Sequence, residues 1–312
     1  MTHSTHAYEQ DPRNATILID INGELFPRPE AKVSVLDAGF VLGDGVWEGL
    51  RVFPGPDGKG VIGLLDRHMK RLYAGAKSLD LEIPLTQSEL TKRIYDCLDA
   101  NDAHEGVHIR LMVTRGEKAT PYQDPRASVS PPTIVILPEF KSPLPETKST
   151  GANLFTVHVR RGYPDGQDQK LNSHSKLNCI LACIQAAKAN ADEALMLDPH
   201  GFVATCNSTH FFIVKDGAIW TSTGDYCLGG ITRGIIIEIA RDNGFEVCER
   251  NFSLHDVYSA SEAFVTGTFA GVSPVATVDG RQISEGRGPV VEQLQNLYMK
   301  HNEEEAARGR NG

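Results

Sequence analysis

The 312-residue sequence lacks the patterns that mark several classes of protein. Its six cysteines form no CxxC pair and no cysteine–histidine cluster with zinc spacing, so no metal site is predicted. No apolar run approaches the roughly 18 residues of a membrane helix, and the polar N-terminus resembles neither a secretory signal nor a transit peptide. A net charge of −9 argues against nucleic-acid and anionic-membrane partners. We therefore expect a soluble protein of the reducing cytoplasm.

The composition is that of a packed protein of enzyme size, with 40% apolar and 23% charged residues. Strand patterns and helix patterns are mixed along the chain, with helices predicted over 64–79, 87–100 and about 175–190. A proline-containing polar stretch over 140–150 marks a boundary. The sequence thus predicts an N-terminal domain over 1–141, a linker over 142–149 and a larger C-terminal domain over 150–312.

Three short patterns could each contribute to a phosphate site. In LGGITR, two glycines precede a predicted helix, whose first N–H groups and Thr232 hydroxyl suit an anion. An ordinary capped turn explains the same pattern. Thr268, in a TGT turn that ends a strand, could add a hydroxyl donor. Arg71 shares a helix face with His68 and could approach a phosphate, although basic helix faces are usually solvent-exposed.

Lys176, in the run NSHSKLN, opens the helix predicted from about residue 175. A lysine in this place is usually a surface residue. However, the positive end of the helix dipole disfavours its charged form, which suits an amine that must be neutral to form a Schiff base.

Taken together and in this order, these segments resemble the fold-type IV pyridoxal-phosphate enzymes. That group includes branched-chain aminotransferases, D-amino-acid aminotransferases and (R)-selective amine transaminases. The resemblance extends from about Ile17 to Met299 and is densest in LGDGVWEGLRVF, DRHMKRL, ADEALMLDPHGFVAT, FFIVKDG, LGGITR and EAFVTGTFAGVSPV. It implies a two-domain α+β fold of type IV, pyridoxal 5′-phosphate as cofactor and a homodimer. It also implies amino transfer between an amino acid or amine donor and a 2-oxo acid acceptor.

The resemblance further implies roles for individual residues. Those that match the family's phosphate-binding positions are Arg71, Ile231, Thr232 and Thr268. Leu228 matches the leucine that packs on the cofactor ring, and Lys176 matches the Schiff-base lysine that also acts as general acid and base. Thr205 stands where relatives carry a glutamate that pairs with the pyridine nitrogen. A neutral hydroxyl cannot hold that nitrogen protonated as a carboxylate does, so a weaker electron sink is expected.

The lysine aligns with the lysine of the family pattern only if a gap is introduced between it and the DEA strand. Counting back from the DEA strand without a gap leads to Asn172, and removing one helical turn of about 3.6 residues leads to Lys176. Lys170, in the polar loop GQDQK, is the rival and requires a two-residue shift in the other direction. We expect Lys176, because deletion of one turn preserves side-chain direction.

The substrate-side residues implied by the resemblance are Trp47, Arg51, His108, Arg110 and Arg115. Trp47 could equally be a core residue, and Arg115 could be a salt-bridge residue. The GxR at 49–51 and the Arg110 position follow the branched-chain pattern, although His108 replaces its tyrosine. The arginine–histidine pair of D-amino-acid enzymes is missing, since Thr120 and Tyr122 lie there.

The leading prediction is therefore a branched-chain-like aminotransferase. A D-amino-acid or (R)-amine transaminase is the first alternative. A lyase of the aminodeoxychorismate-lyase type is the second, because it shares the fold and the lysine, and Thr205 keeps it open. A non-enzymatic binding protein is the remote third reading.

Overall fold

The computed structural model describes residues 7–310, which group by their contacts into two compact units. The first unit comprises residues 10–142, 171–176 and 302–310, and the second comprises residues 7–9, 143–170 and 177–301. The division predicted from the sequence, with its linker over 142–149, stays a prediction. It assigns Leu171–Lys176 to the second domain, whereas these residues group with the first unit here.

The first unit contains one antiparallel sheet and three helices. Its strands are β1 (Leu18–Ile21), β2 (Glu24–Pro27), β3 (Gly45–Pro54), β4 (Gly60–Ile62), β5 (Val107–Thr114) and β6 (Thr133–Phe140), and its helices are α1 (Ala38–Leu42), α2 (Leu65–Ser78) and α3 (Gln87–Ala100). Short 3-10 turns cover Pro12–Ala15 and Pro125–Ala127.

The sheet of the first unit has the strand order β2-β1-β6-β5-β3-β4. The run NGE at 22–24 predicts a tight hairpin turn, and the turn is present: Ile21 pairs with Glu24, and Asn22 and Gly23 both have positive φ, as a type I′ hairpin requires. Helices α2 and α3 bury one apolar stripe each against the sheet, and their residues form one core with those of β3, β5 and β6. This core supports the long strand β3.

The second unit contains a nine-stranded mixed sheet and four helices. Its strands are β7 (Ala152–Thr156), β8 (Glu193–Leu197), β9 (Val203–Cys206), β10 (His210–Lys215), β11 (Ala218–Thr221), β12 (Val247–Glu249), β13 (Glu262–Gly267), β14 (Gly271–Val278) and β15 (Arg281–Gln282), and its helices are α4 (Leu177–Lys188), α5 (Ile231–Asp242), α6 (Leu254–Tyr258) and α7 (Pro289–Ala307, grouped with the first unit from Asn302 on). A 3-10 turn covers Pro145–Lys148.

The order in this sheet is β12-β11-β10-β13-β14-β7-β8-β9, and β15 pairs with β14. The pairs β11–β12, β14–β7 and β7–β8 are parallel and the others are antiparallel. Apolar clusters cover both faces of the sheet, one of them beneath α5 and another beneath α4. The start of β10 and the end of β13 lie beside the start of α5, because Gly230 approaches His210, which opposes Thr266.

The charged sequence from Asn302 onward predicts a frayed C-terminal end. This prediction is wrong for the described residues, because the segment is helical through Ala307, and Arg310 beyond it donates hydrogen bonds to both carboxylate oxygens of Asp99. The four-residue spacing of Cys179 and Cys183 in a helical pattern predicts that both lie on one buried face. This prediction is also wrong: Cys179 is half-buried and Cys183 is exposed, because the buried stripe of α4 consists of Ala182 and Ala186. Over residues 7–310, no helix combines the length and apolarity needed to cross a membrane.

Candidate active site

The β3–β5 pair has one buried face and one half-buried face, because successive side chains of a strand alternate between faces. Residues directly opposite each other in an antiparallel pair share a face. The register opposes Gly49 with Arg110 and Arg51 with His108, and Trp47 lies on the same face of β3. The half-buried face thus collects four of the side chains predicted to face the substrate: Trp47, Arg51, His108 and Arg110.

Trp47 is the centre of a cluster on this face. Its indole N–H donates to the backbone oxygen of Ser173 at 3.1 Å, which fixes the ring. The guanidinium carbon of Arg110 lies 3.7 Å from the ring centroid, and the Nζ of Lys176 lies 5.2 Å from it. Both cations are within the range of a favourable cation–π contact. The structure therefore brings together the predicted lysine, the predicted aromatic wall and one predicted arginine.

The side chain of Arg110 is largely buried, yet its guanidinium makes no hydrogen bond to any of residues 7–310. Burial lowers the pKa of its guanidinium, and the Glu139 carboxylate offsets part of that shift. An arginine keeps its charge in proteins and has five N–H donors. A desolvated guanidinium with its donors unused is suited to receive a carboxylate.

The segment Leu171–Lys176 is extended and is not part of a helix. It lies along the edge of β3 opposite β5, where Trp47 N donates to Asn172 O at 3.1 Å and His174 N donates to Gly45 O at 2.9 Å. Helix α4 begins only at Leu177, so the argument that Asn172 and Lys176 are one helical turn apart is wrong. The two side chains nevertheless meet, with Lys176 Nζ 3.0 Å from Asn172 Oδ1.

His174 was not singled out from the sequence. Burial lowers the pKa of its imidazole, and the positive charges of Arg110 and Lys176 add to this effect. Its Nε2 is buried and has no hydrogen-bond partner among residues 7–310. His174 is therefore expected to be neutral at pH 7.

Arg71 is held by a buried carboxylate on the opposite face of β3. Glu48 is completely buried, and its oxygens accept from Arg71 Nε at 2.8 Å and from Arg71 Nη2 at 2.6 Å. His68 Nδ1 lies 2.7 Å from Glu48 Oε2. Burial raises the pKa of the Glu48 carboxyl, but the hydrogen bonds from His68 and Arg71 outweigh burial, so its pKa lies below the ordinary value. The guanidinium of Arg71 is thus fixed while 19% of its side chain remains exposed.

Arg115 is a salt-bridge residue. Its Nε and Nη2 donate to the Asp44 carboxylate at 2.6 and 3.1 Å, and its Nη1 and Nη2 also donate to the backbone oxygens of Asp80 and Leu79. All three guanidinium nitrogens have partners within the protein. Of the two interpretations open at the sequence level, the structure favours the salt bridge.

In the second unit, Thr205 lies in β9, and the turn after this strand is attached to a buried acid. Thr205 is 5% exposed, and its hydroxyl donates to the backbone oxygen of Thr209 at 2.8 Å. Glu193, which is 1% exposed, accepts from the hydroxyls of Ser208 and Thr209. The hydrogen of the Thr205 hydroxyl is therefore committed, and only the lone pairs of its oxygen can serve a further partner.

The start of α5 has the features of an anion site. Gly230 is the N-cap and provides no side-chain cap for the N–H groups of the first turn, and Thr232 is 3% exposed. A side chain at Gly230 would collide with the ring of His210, which lies opposite Thr266 in the β10–β13 pair. Thr266 is completely buried, and its hydroxyl has no hydrogen-bond partner among residues 7–310. Open helix N–H groups beside an unsatisfied buried hydroxyl suit a phosphate.

The other two residues predicted for the cofactor flank this helix start. Leu228 accepts from Gly230 N at 2.8 Å through its backbone oxygen and is half-buried. Thr268 follows the end of β13 and is also half-buried. The roles of these residues and of Ile231 stay predictions.

A lysine amine beside an aromatic ring in the first unit and, separately, a phosphate-type helix start in the second unit are both features of enzymes that use a phosphorylated carbonyl cofactor. The chain belongs to the amino-transferase class IV family, whose sequence model matches residues 45–278.

The chain is also similar to individual members of this family. The chain is 40% identical to branched-chain-amino-acid aminotransferase-like protein 2 of Arabidopsis thaliana over 93% of its own length, but it spans only about half (51%) of that relative. It is 34% identical to the branched-chain-amino-acid aminotransferase of Pseudomonas aeruginosa, over 89% of this chain and 90% of that one. The T.th. branched-chain amino acid aminotransferase with pyridoxamine 5′-phosphate superposes with a TM-score of 0.86 at 33% identity, covering 92% of this chain and 95% of that one. The predicted fold of type IV is thereby confirmed.

The buried carboxylate of Glu48 leads to a pH-dependent prediction. A carboxyl whose pKa is lowered in the folded state stabilises the fold fully above the ordinary pKa of glutamate, 4.5, and this contribution is lost as the pH falls through the folded-state pKa. We expect Glu48→Gln to melt below wild type at pH 7 and the difference to narrow as the pH falls below 4.5. Thermal melting between pH 7 and pH 3.5 measures it.

The exposed Glu105→Gln variant is the matched control and should melt like wild type at every pH. A difference between wild type and Glu48→Gln that stays constant over the whole range would contradict an ionised Glu48.

Proposed function

We propose that this protein is a pyridoxal-phosphate-dependent aminotransferase of the branched-chain type, which moves an amino group between a branched-chain-like amino acid and a 2-oxo acid. The observation that carries the proposal is the position of the Lys176 amine beside Trp47, with Arg110 stacked on the same ring. The family relationship and the names of the aligned relatives support the same reaction. Pyridoxal phosphate, when bound, supplies the aldehyde that takes up the amino group and the ring that withdraws electrons.

The side chains of the Trp47 cluster would each have one role. Lys176 Nζ attaches the cofactor covalently and afterwards carries a proton at the reacting carbon as general acid and base. The indole of Trp47 offers a flat apolar wall to an aliphatic side chain. Arg110 offers its unused donors to a carboxylate of the substrate.

Each unit by itself contains donors of a kind that suits the phosphate of the cofactor. In the first unit, Arg71 presents a guanidinium that Glu48 prevents from turning away. In the second unit, the first-turn N–H groups of α5 and the hydroxyls of Thr232 and Thr268 are candidates. The unsatisfied hydroxyl of Thr266 beside them is the observation that supports an anion there.

The alternatives are less well supported. The D-amino-acid reading lacks its arginine–histidine pair at Thr120 and Tyr122, and the lyase reading rests on Thr205 alone. The relatives compared above carry the branched-chain name. We also place the enzyme in the cytoplasm, since its six cysteines are all free thiols, as a reducing compartment maintains them.

A half-reaction distinguishes these alternatives. Protein loaded with pyridoxal 5′-phosphate is mixed with an L-branched amino acid, a D-amino acid or an (R)-amine, without an acceptor, and the released oxo product is quantified. We expect about one equivalent of 2-oxo acid per chain from the L-branched donor, and continued turnover only after a 2-oxo acid is added, because transfer proceeds in two halves. Continued turnover without an acceptor would indicate a lyase, and release only from the other donors would contradict the branched-chain type.

The lysine assignment has its own test. Borohydride makes the bond between the amine and the cofactor permanent, and peptide mass mapping then locates the cofactor. We expect it on Lys176, with Lys176→Ala abolishing both the label and turnover, since the substitution removes the amine that forms the bond. The matched variant is Lys170→Ala, which should keep both. Label on Lys170 would overturn the assignment while leaving the family unaffected.

We further propose that the protein is a homodimer that uses the outer face of α4. This face exposes four large apolar side chains by 45–64%, namely Leu177, Ile180, Leu181 and Ile184. Helix α4 carries no charge before Lys188. In a two-fold dimer the same patch faces itself, so an uncharged apolar patch is suited to it, whereas charges of one sign would repel each other.

Two aspartates on this face should separate the chains. Ile180→Asp with Ile184→Asp would place four like charges in a two-fold contact, and we expect sedimentation analysis to change from a dimer to a monomer. Val35→Asp is the control, because Val35 is 71% exposed in the other unit and should leave the dimer intact. A monomeric wild type, or a doubly substituted protein that stays dimeric, would argue against this interface.

A further inference from the structure

Asn172 joins the backbone of β3 to the side chain of Lys176. Its side chain is 5% exposed, its Nδ2 donates to Trp47 O at 2.5 Å, and its Oδ1 accepts from Lys176 Nζ at 3.0 Å. Its own backbone oxygen accepts from Trp47 N. Asn172 is therefore attached to Trp47 through both its main chain and its side chain.

This attachment determines which end of the amide faces the lysine. A backbone oxygen can only accept, so the amide must direct its NH2 group to Trp47 O, and the reverse orientation would bring two oxygens together. The oxygen of the amide is then the end left for Lys176. Lys176 thus meets an oriented and uncharged acceptor.

An uncharged acceptor has a particular consequence for an amine. A carboxylate in the same place would stabilise the ammonium form strongly, whereas an amide oxygen directs one N–H and adds no charge. The Trp47 ring also lies near the amine, and the charge of Lys176 acts on the His174 imidazole.

We propose that Asn172 is a positioning residue that holds the amine of Lys176 in the orientation for covalent capture of the cofactor without fixing it in its charged form. This inference rests on the function proposed above. It assigns to Asn172 a role that depends on the polarity of its amide, which is distinct from filling space.

The test follows capture of the cofactor, and turnover is not needed. Apoprotein is mixed with pyridoxal 5′-phosphate over a range of pH, quenched with borohydride at intervals, and the label on Lys176 is quantified by mass. Only the neutral amine attacks the aldehyde, so the midpoint of the pH–rate profile reports the pKa of the amine. Ser175→Ala is the control, because Ser175 is an exposed neighbour on the same segment and should leave the profile unchanged.

Two variants at position 172 are expected to change different quantities, the midpoint of the pH–rate profile in one and the rate of capture in the other. Asn172→Asp places an anion at the amine and should move the midpoint up by roughly one to three pH units. Asn172→Ala removes the acceptor and should slow capture at saturating cofactor by about three- to tenfold, the loss of one hydrogen bond. Reversible binding of the cofactor, measured by dialysis before the quench, should stay the same in Asn172→Ala.

The possible outcomes test the role of Asn172 and the proposed function separately. Label on Lys176 with the same midpoint in Asn172→Asp, or with the same rate in Asn172→Ala, would overturn the role of Asn172 and leave the proposed function standing. If Asn172→Asp does not fold, the rate in Asn172→Ala decides alone. Absence of label on Lys176 in the wild type would overturn both proposals.

Discussion

The candidate site of the first unit depends on two backbone hydrogen bonds that attach residues 172–174 to the edge of β3. They join Trp47 N to Asn172 O and His174 N to Gly45 O. A side chain at Gly45 would collide with a backbone oxygen of β5 and with the ring of His174, so this approach requires a glycine. Because these bonds determine where the extended segment ends, they also determine the place from which the side chain of Lys176 reaches the indole of Trp47.

Features set by local patterns could be predicted from the sequence. The Asn22–Gly23 pair is a strong local signal of a two-residue hairpin, because both residues readily adopt positive φ. Helix α3 has the predicted bounds because Thr86 and Glu89 form a capping box at its start. The segment from Asn172 to Lys176 could not be predicted in this way. Its polar residues have neither helix nor strand periodicity, and its pairing partner in β3 lies about 125 residues earlier in the chain.

The surroundings of Arg71 were missed for a related reason, although the sequence contained a signal. A basic helix face is usually interpreted as solvent-exposed. This interpretation does not predict that Arg71 binds a carboxylate 23 residues away in the sequence. Alternation along β3 places Glu48 between the buried residues Val46 and Leu50. A buried carboxylate in such a row needs charged or hydrogen-bonding partners, and His68 and Arg71 are the side chains of α2 that reach it.

For Thr205, the structure adds information that the sequence lacks. The sequence shows only that threonine replaces glutamate, whereas the structure shows the hydrogen-bond partner of its hydroxyl. The sequence predicts a neutral group where relatives carry a carboxylate, and a hydroxyl could act there as a donor or as an acceptor. Since its hydrogen is given to the backbone oxygen of Thr209, the hydroxyl is left as an acceptor. Toward a ring nitrogen, an acceptor favours the protonated form, as a carboxylate does, but without the carboxylate's charge. The expected consequence is a weaker electron sink of the same polarity, with more of the proton transfer resting on Lys176.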